Sequence, residues 1–182
     1  MSITKLHTAD DLFLLGSDAR CELIEGELHD VPGSGLKSSV IGGDIMFAIG
    51  LHLRGDRIGI VSGEAGGYLL SRAPDTVVFP DVAFIRTDRL PGGGVPEGFC
   101  PVPPDLAVEV VSPTDRLPDA ERKVRRYLDA GTPLAWLVDP ASRSVAVHRP
   151  GRPVRTLGVA DVLDGGDVLP GFMLPVAEIF AL

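Results

Sequence analysis

Cationic side chains are in short supply: 17 lysines and arginines face 25 aspartates and glutamates, for a formal net charge of −8 at pH 7. Bulk electrostatics is therefore excluded as the main source of any affinity for nucleic acid, because phosphate contacts need a Lys/Arg surface. An acidic centre stays compatible with phosphate chemistry, since a bound divalent cation reverses the local charge. Cysteine is sparse as well. Cys21 and Cys100 stand far apart and in no metal-ligand spacing, which excludes a disulfide scaffold and fits two ordinary thiols in a reducing compartment. No apolar run approaches the roughly 20 residues that span a bilayer. The first seven residues show no apolar leader, so the expected location is the cytoplasm. Aromatics make up only 5%, which leaves the core to Val, Leu, Ile and Ala.

What is present points to an α/β domain. The 182 residues are 45% hydrophobic and include 22 glycines and 16 prolines, as expected for one compact domain over 1–182 with short elements and tight turns. Thr8 followed by Asp10 and Asp11 predicts a capped helix start. Strand-like runs at 21–24 and 28–31 flank Glu25-Gly26, a hairpin signal. Val40, Ile41, Ile45, Ile49 and Leu53 recur at helical spacing over 38–53, across a locally weakening Gly42-Gly43. Strands are expected at 58–61, 67–70, 76–79 and 82–85, followed by an aperiodic Pro/Gly-rich surface loop or flap over 90–104.

The run 106–111 is almost continuously apolar, as in a central strand buried on both faces. Ser112-Pro113-Thr114-Asp115 ends it. A helix over 118–130 with Gly131 at its end, a strand over 134–138 and an Asp139-Pro140 turn come next. An outer hairpin is expected from 144–148 and 154–157, and a short C-terminal helix over 176–180. Gly63 to Gly67 and Gly92 to Gly94 lack the strand–helix context of a phosphate loop and are assigned to turns. His7, His29, His52 and His148 form no zinc-like spacing.

Three residues carry chemistry. Glu109 interrupts the buried run, and a mid-strand carboxylate is costly unless it is paired or binds a cation. Asp105, at the strand's start, is set aside as a residue beside the proline-rich loop. Asp81 stands among apolar residues after Pro80, and the alternative for it is a turn residue bonding its own backbone. Steps of about 100° put Ala120, Val124, Tyr127 and Leu128 on one stripe of the 118–130 helix, with Lys123 on the stripe's edge and Arg122, Arg125 and Arg126 turned outward. Lys123 is thus the basic residue aimed at the protein body, with an Asp119 pair or snorkelling as its bland alternatives. A buried Glu109–Lys123 ion pair satisfies both residues as well as a metal does. Two acids and a lysine held together suit phosphodiester hydrolysis.

With these residues in view, the chain resembles the Uma family of restriction endonucleases, a branch of the PD-(D/E)XK superfamily. The resemblance rests on Glu22-Leu-Ile-Glu-Gly-Glu27, Pro80-Asp81-Val-Ala-Phe84, Pro104-Asp105 through Glu109 to Pro113, Lys123 with Tyr127, and Trp136-Leu-Val-Asp139-Pro140. It implies a restriction-endonuclease-like mixed β-sheet flanked by helices, with an N-terminal hairpin extension. It also implies an Mg²⁺- or Mn²⁺-dependent endonuclease acting on nucleic acid, expected to be DNA. Asp81, Glu109 and the Val110 carbonyl would be metal ligands, Lys123 would assist the attacking water, and Glu27 would be an additional acid. The superfamily's usual lysine, two residues after the acid, is replaced here by Val111, and Lys123 stands in from the following helix. The histidine that many members carry at the start of the long helix is absent from Leu36-Lys37-Ser38-Ser39. The competing reading is a catalytically inactive interaction module with the same fold, homodimeric through edge strands and an apolar C-terminus.

Overall fold

The computed structural model describes residues 6–16, 19–31, 33, 35–113 and 116–181. Thr114 and Asp115, expected to help end the central strand, and the first five residues lie outside them. Helix α1 (Ala9–Leu14) opens on a reciprocal cap: Thr8 Oγ1 accepts from the Asp11 N–H, and the Asp11 carboxylate accepts from the Thr8 N–H. Strands β1 (Cys21–Ile24) and β2 (Glu27–Asp30) pair across Glu25 and Gly26, both at positive φ (50° and 81°), the left-handed pair of a tight hairpin. Helix α2 (Leu36–His52) follows.

The strand-rich middle gives β3 (Gly59–Gly63), β4 (Tyr68–Ser71), β5 (Thr76–Val78), β6 (Val82–Arg86) and β7 (Leu106–Val110). Helix α3 (Leu117–Asp129) and strands β8 (Leu134–Asp139), β9 (Ser144–His148) and β10 (Arg155–Leu157) come next. Strands β11 (Val162–Asp164) and β12 (Met173–Pro175) and helix α4 (Val176–Ile179) complete the chain. The β11–β12 ladder has no counterpart in the sequence reading, because three-residue strands are too short to show a period.

Six strands form a mixed sheet in the order β10-β9-β8-β7-β6-β3. Its one parallel pair is β7–β8, joined by α3 as the crossover that parallel strands need. Ile41, Ile45 and Ile49 of α2 pack on one face against Val82, Phe84, Val108 and Val110, while Val124 of α3 packs on the other against Ala135 and Leu137. Both faces of β7 are therefore covered, which explains its unbroken apolar run.

A second, antiparallel sheet has the order β2-β1-β5-β4. The N-terminal hairpin is thus half of a sheet and not an extension: β1 pairs with β5 at Leu23↔Val77. Ile24, Val78, Ala107 and Tyr127 form a shared cluster that joins this sheet to β7 and α3. The chain passes from one sheet to the other within Phe79-Pro80-Asp81.

The 90–104 loop is pinned and does not form a free flap. Leu90 and Cys100 are buried, and Cys100 exchanges backbone hydrogen bonds with Gly67 and Leu69. The apolar C-terminus, one reason for expecting a homodimer, is folded into the main core through Val176, Ile179 and Phe180. Trp136 of the resemblance motif is also core, stacked on Phe172. Asp139 caps the following turn by accepting from the Ala141 N–H and the Ser142 hydroxyl. Among the described residues no helix is long and apolar enough to cross a membrane.

Candidate functional site

The site lies where the two sheets meet. Strands β6 and β7 run antiparallel with Val82 opposite Val108, so one step further along brings Asp81 level with Glu109. The Asp81 carboxylate accepts a 2.6 Å hydrogen bond from the Val110 N–H. Proline at position 80 and the bend that follows it lift Asp81 out of the ladder proper, which frees its side chain for that contact.

Glu109 is 8% exposed. One carboxylate oxygen accepts from the Tyr127 hydroxyl at 2.6 Å, and the other lies 3.0 Å from Lys123 Nζ. Tyr127 and Lys123 are four residues apart on α3, so both reach the same strand from one helix face. Lys123 also meets Glu22 Oε1 at 3.0 Å and donates to the Phe79 carbonyl at 3.1 Å. Its three N–H groups thus have three acceptors. Glu22 in turn accepts from the Phe79 N–H at 3.1 Å, so Glu22 and Lys123 grip the Phe79 peptide from both sides.

Two carboxyl groups therefore share one ammonium, and a third, Asp81, is close enough to act on Glu109. Burial pushes the Glu109 carboxyl up to about 8, with Lys123 opposing and Asp81 and Glu22 reinforcing the rise. Burial alone would lower Lys123, but Glu109 and Glu22 outweigh it and hold the ammonium above its usual range. Tyr127 is pushed up by burial and by Glu109, so it stays a hydrogen-bond donor. Burial and the neighbouring acids thus disfavour the ionised form of Glu109, a cost that divalent charge would relieve.

The structure brings Asp81, Glu109 and Lys123 together, three residues the sequence singled out. It does not bring Glu27. Glu27 is exposed on β2, the edge strand of the four-stranded sheet, whereas the acid at the cluster is Glu22 on the interior strand β1. Cross-strand partners share a face, so Ile24 and Glu27 point the same way; only the strand order decides which glutamate is covered. The outward i,i+4 pairing of Lys123 with Asp119 is replaced by an Asp119–Arg122 pair. The Ser38 hydroxyl closes the start of α2 by donating to the Gly35 carbonyl.

Asp81 opens on two clefts. A larger one of about 660 Å³ also contains Lys123, Phe79 and Phe99, and a smaller one of about 180 Å³ lies against Gly42 and Gly43 of α2. Ser39 and Glu64 line both. Two carboxylates beside a strand-end backbone make a hard oxygen donor set, and they fit an ion that takes one or two carboxylates and keeps part of its water shell. Among the described residues no three His, Cys, Asp or Glu side chains converge into a fuller cage.

No curated protein matches the chain. A crystal structure of "a putative nuclease belonging to DUF820" from Anabaena variabilis shares the fold with a TM-score of 0.80, covering 95% of this chain and 97% of that one at 22% identity. A sequence model of the Uma2 family, described as "Putative restriction endonuclease", matches residues 8–177 and so takes in every residue of the cluster; the chain belongs to that family.

Proposed function

We propose that the protein is a divalent-metal-dependent endonuclease that hydrolyses phosphodiester bonds of DNA. The observation that carries this reading is that Asp81, just before β6, and Lys123 of α3 line one cleft, while Glu109 of β7 lies buried against Lys123 beside the Val110 N–H that Asp81 accepts from. Asp81 and Glu109 would hold Mg²⁺ or Mn²⁺, with the Val110 carbonyl as a further ligand. When bound, such an ion supplies Lewis-acid polarisation of the phosphodiester and offsets charge on the leaving oxygen. Lys123 is anchored by Glu22 and the Phe79 carbonyl. Were Glu109 to face a bound cation, the third N–H of Lys123 would be free to hold the attacking water or a phosphate oxygen. Glu22 is a positioning residue, and it takes the place the sequence suggested for Glu27.

Incubation of the protein with DNA and RNA strands in Mg²⁺ or Mn²⁺, read on denaturing gels, tests the proposal. Cleavage is expected from the native protein and not from Asp81→Ala or Glu109→Ala; activity surviving either substitution overturns the assignment. Independently, Mn²⁺ at a hundred times its Kd should stabilise the native protein by about 2.7 kcal/mol, a gain that Glu109→Ala removes.

One observation favours a second reading, a module that keeps the fold without the activity. All three Lys123 N–H groups are already matched within the protein, as in a purely structural ion pair. Neither cleavage nor a Mn²⁺ shift would select that reading.

A further inference from the structure

The chain has only seven phenylalanines, and Phe13, Phe79 and Phe99 gather in the cleft that contains Asp81 and Lys123. Phe99 stands edge-to-face with both neighbours, at 5.4 Å and 89° to Phe13 and at 5.6 Å and 85° to Phe79. Phe99 and Phe79 are half-buried, but Phe13 is 52% exposed. Its ring is thus held in place by an aromatic partner and still presents area to a ligand. Arg20 lines the same cleft. Asp81 also lines the smaller cleft, so an extended chain entering past the aromatics would reach Asp81 and Lys123.

The charge of the molecule decides what such a site can use. At −8, general attraction to phosphates is weak, and a strand held here must be held by short-range contacts. Base–aromatic stacking is the contact that every nucleobase can make, and each stacked base contributes on the order of tenfold or more in affinity. A paired base offers its faces only after leaving its own stack.

We propose that this cleft holds an unpaired nucleotide of the strand to be cut, its base stacked on Phe13 beside Phe99 and its phosphate led by Arg20 toward Asp81 and Lys123. The substrate is then single-stranded or locally unpaired DNA. This inference rests on the nuclease reading for its substrate class, but its test does not depend on cleavage.

Short DNA strands carrying the fluorescent base 2-aminopurine are titrated with the whole protein in a chelator, as a single strand, in a full duplex, and in a duplex where that base is unpaired. The single strand and the unpaired base should bind at least tenfold more tightly than the duplex, with the fluorescence quenched by stacking. Phe13→Leu keeps an apolar side chain and should lose about tenfold of that affinity, while Phe13→Trp retains it. Phe13 is exposed, so these variants should melt with the native protein. Equal binding of the full duplex, no binding of any strand, or unchanged affinity in Phe13→Leu overturns the proposal. So does a native dimer that Phe13→Leu splits without affecting DNA binding, which would assign the cleft to a second copy. Base-specific binding without cleavage in Mg²⁺ or Mn²⁺ sinks the nuclease reading and leaves the nucleotide cleft standing. Duplex cleavage indifferent to Phe13→Leu does the reverse.

Discussion

Strand β7 has a buried acid at each end, and the two are treated very differently. Asp105, just before the strand, is 5% exposed; its carboxylate accepts from the Arg86 N–H and pairs with Arg89 Nη1, both at 2.9 Å. One acid meets one cation and one amide, and nothing is left over. Glu109, 8% exposed near the other end, shares a single lysine with Glu22 and has Asp81 close enough to raise its pKa. Both carboxylates are buried and both are bonded, so burial and pairing do not tell structure from function. The balance of charge does. Two buried glutamates sharing one lysine are a poor structural solution and a good place for a metal.

Substitutions can break this contrast, and the largest effect is expected from Lys123→Met. It removes the ammonium that Glu22 and Glu109 share and strips the Phe79 carbonyl of its donor, so it should cost about 3–5 kcal/mol, read from urea midpoints. A loss under about 1 kcal/mol would mean that the cluster holds together without its cation.

Asp105→Asn should come next, at about 1.5–3 kcal/mol. The amide has one acceptor where the carboxylate used two, so its NH₂ must face either the Arg86 N–H or the Arg89 guanidinium. Glu109→Gln should be the mildest, within about 1 kcal/mol in the absence of metal. Its NH₂ can donate to the Tyr127 hydroxyl, which accepts as readily as it donates, and one acid leaves a crowded pocket. If the amide proves costlier at 109 than at 105, charge balance does not separate the two ends.

Much of this arrangement was legible in the residues. Glu109 announced itself because one carboxylate among five apolar residues violates the pattern of a covered strand. Lys123 was found by helical phase alone, since Val124 and Tyr127 fix the inward face of α3. Asp81 needed the family resemblance, because an aspartate after proline is ordinary turn chemistry until the β6–β7 register sets it level with Glu109. Glu22 was missed for a topological reason. The hairpin carries glutamates at 22, 25 and 27, and local alternation puts 22 and 27 on one face. Which of the two is covered depends on β1, not β2, pairing with β5 some fifty residues later, a long-range choice that no short window contains. Asp105 was discounted for its neighbours in the loop, yet Arg89 from that same stretch of chain is what buries and pairs it.

The grip of Glu22 and Lys123 on the Phe79 peptide has a consequence for how this molecule comes into being. Those two side chains clamp the segment where the chain leaves one sheet and enters the other, and they belong to the same cluster that would perform the chemistry. Nascent or partly opened chains, with the sheets undocked, have no assembled centre. A centre built this way exists only once the last seam has closed, so the cooperativity of folding decides when the cluster forms.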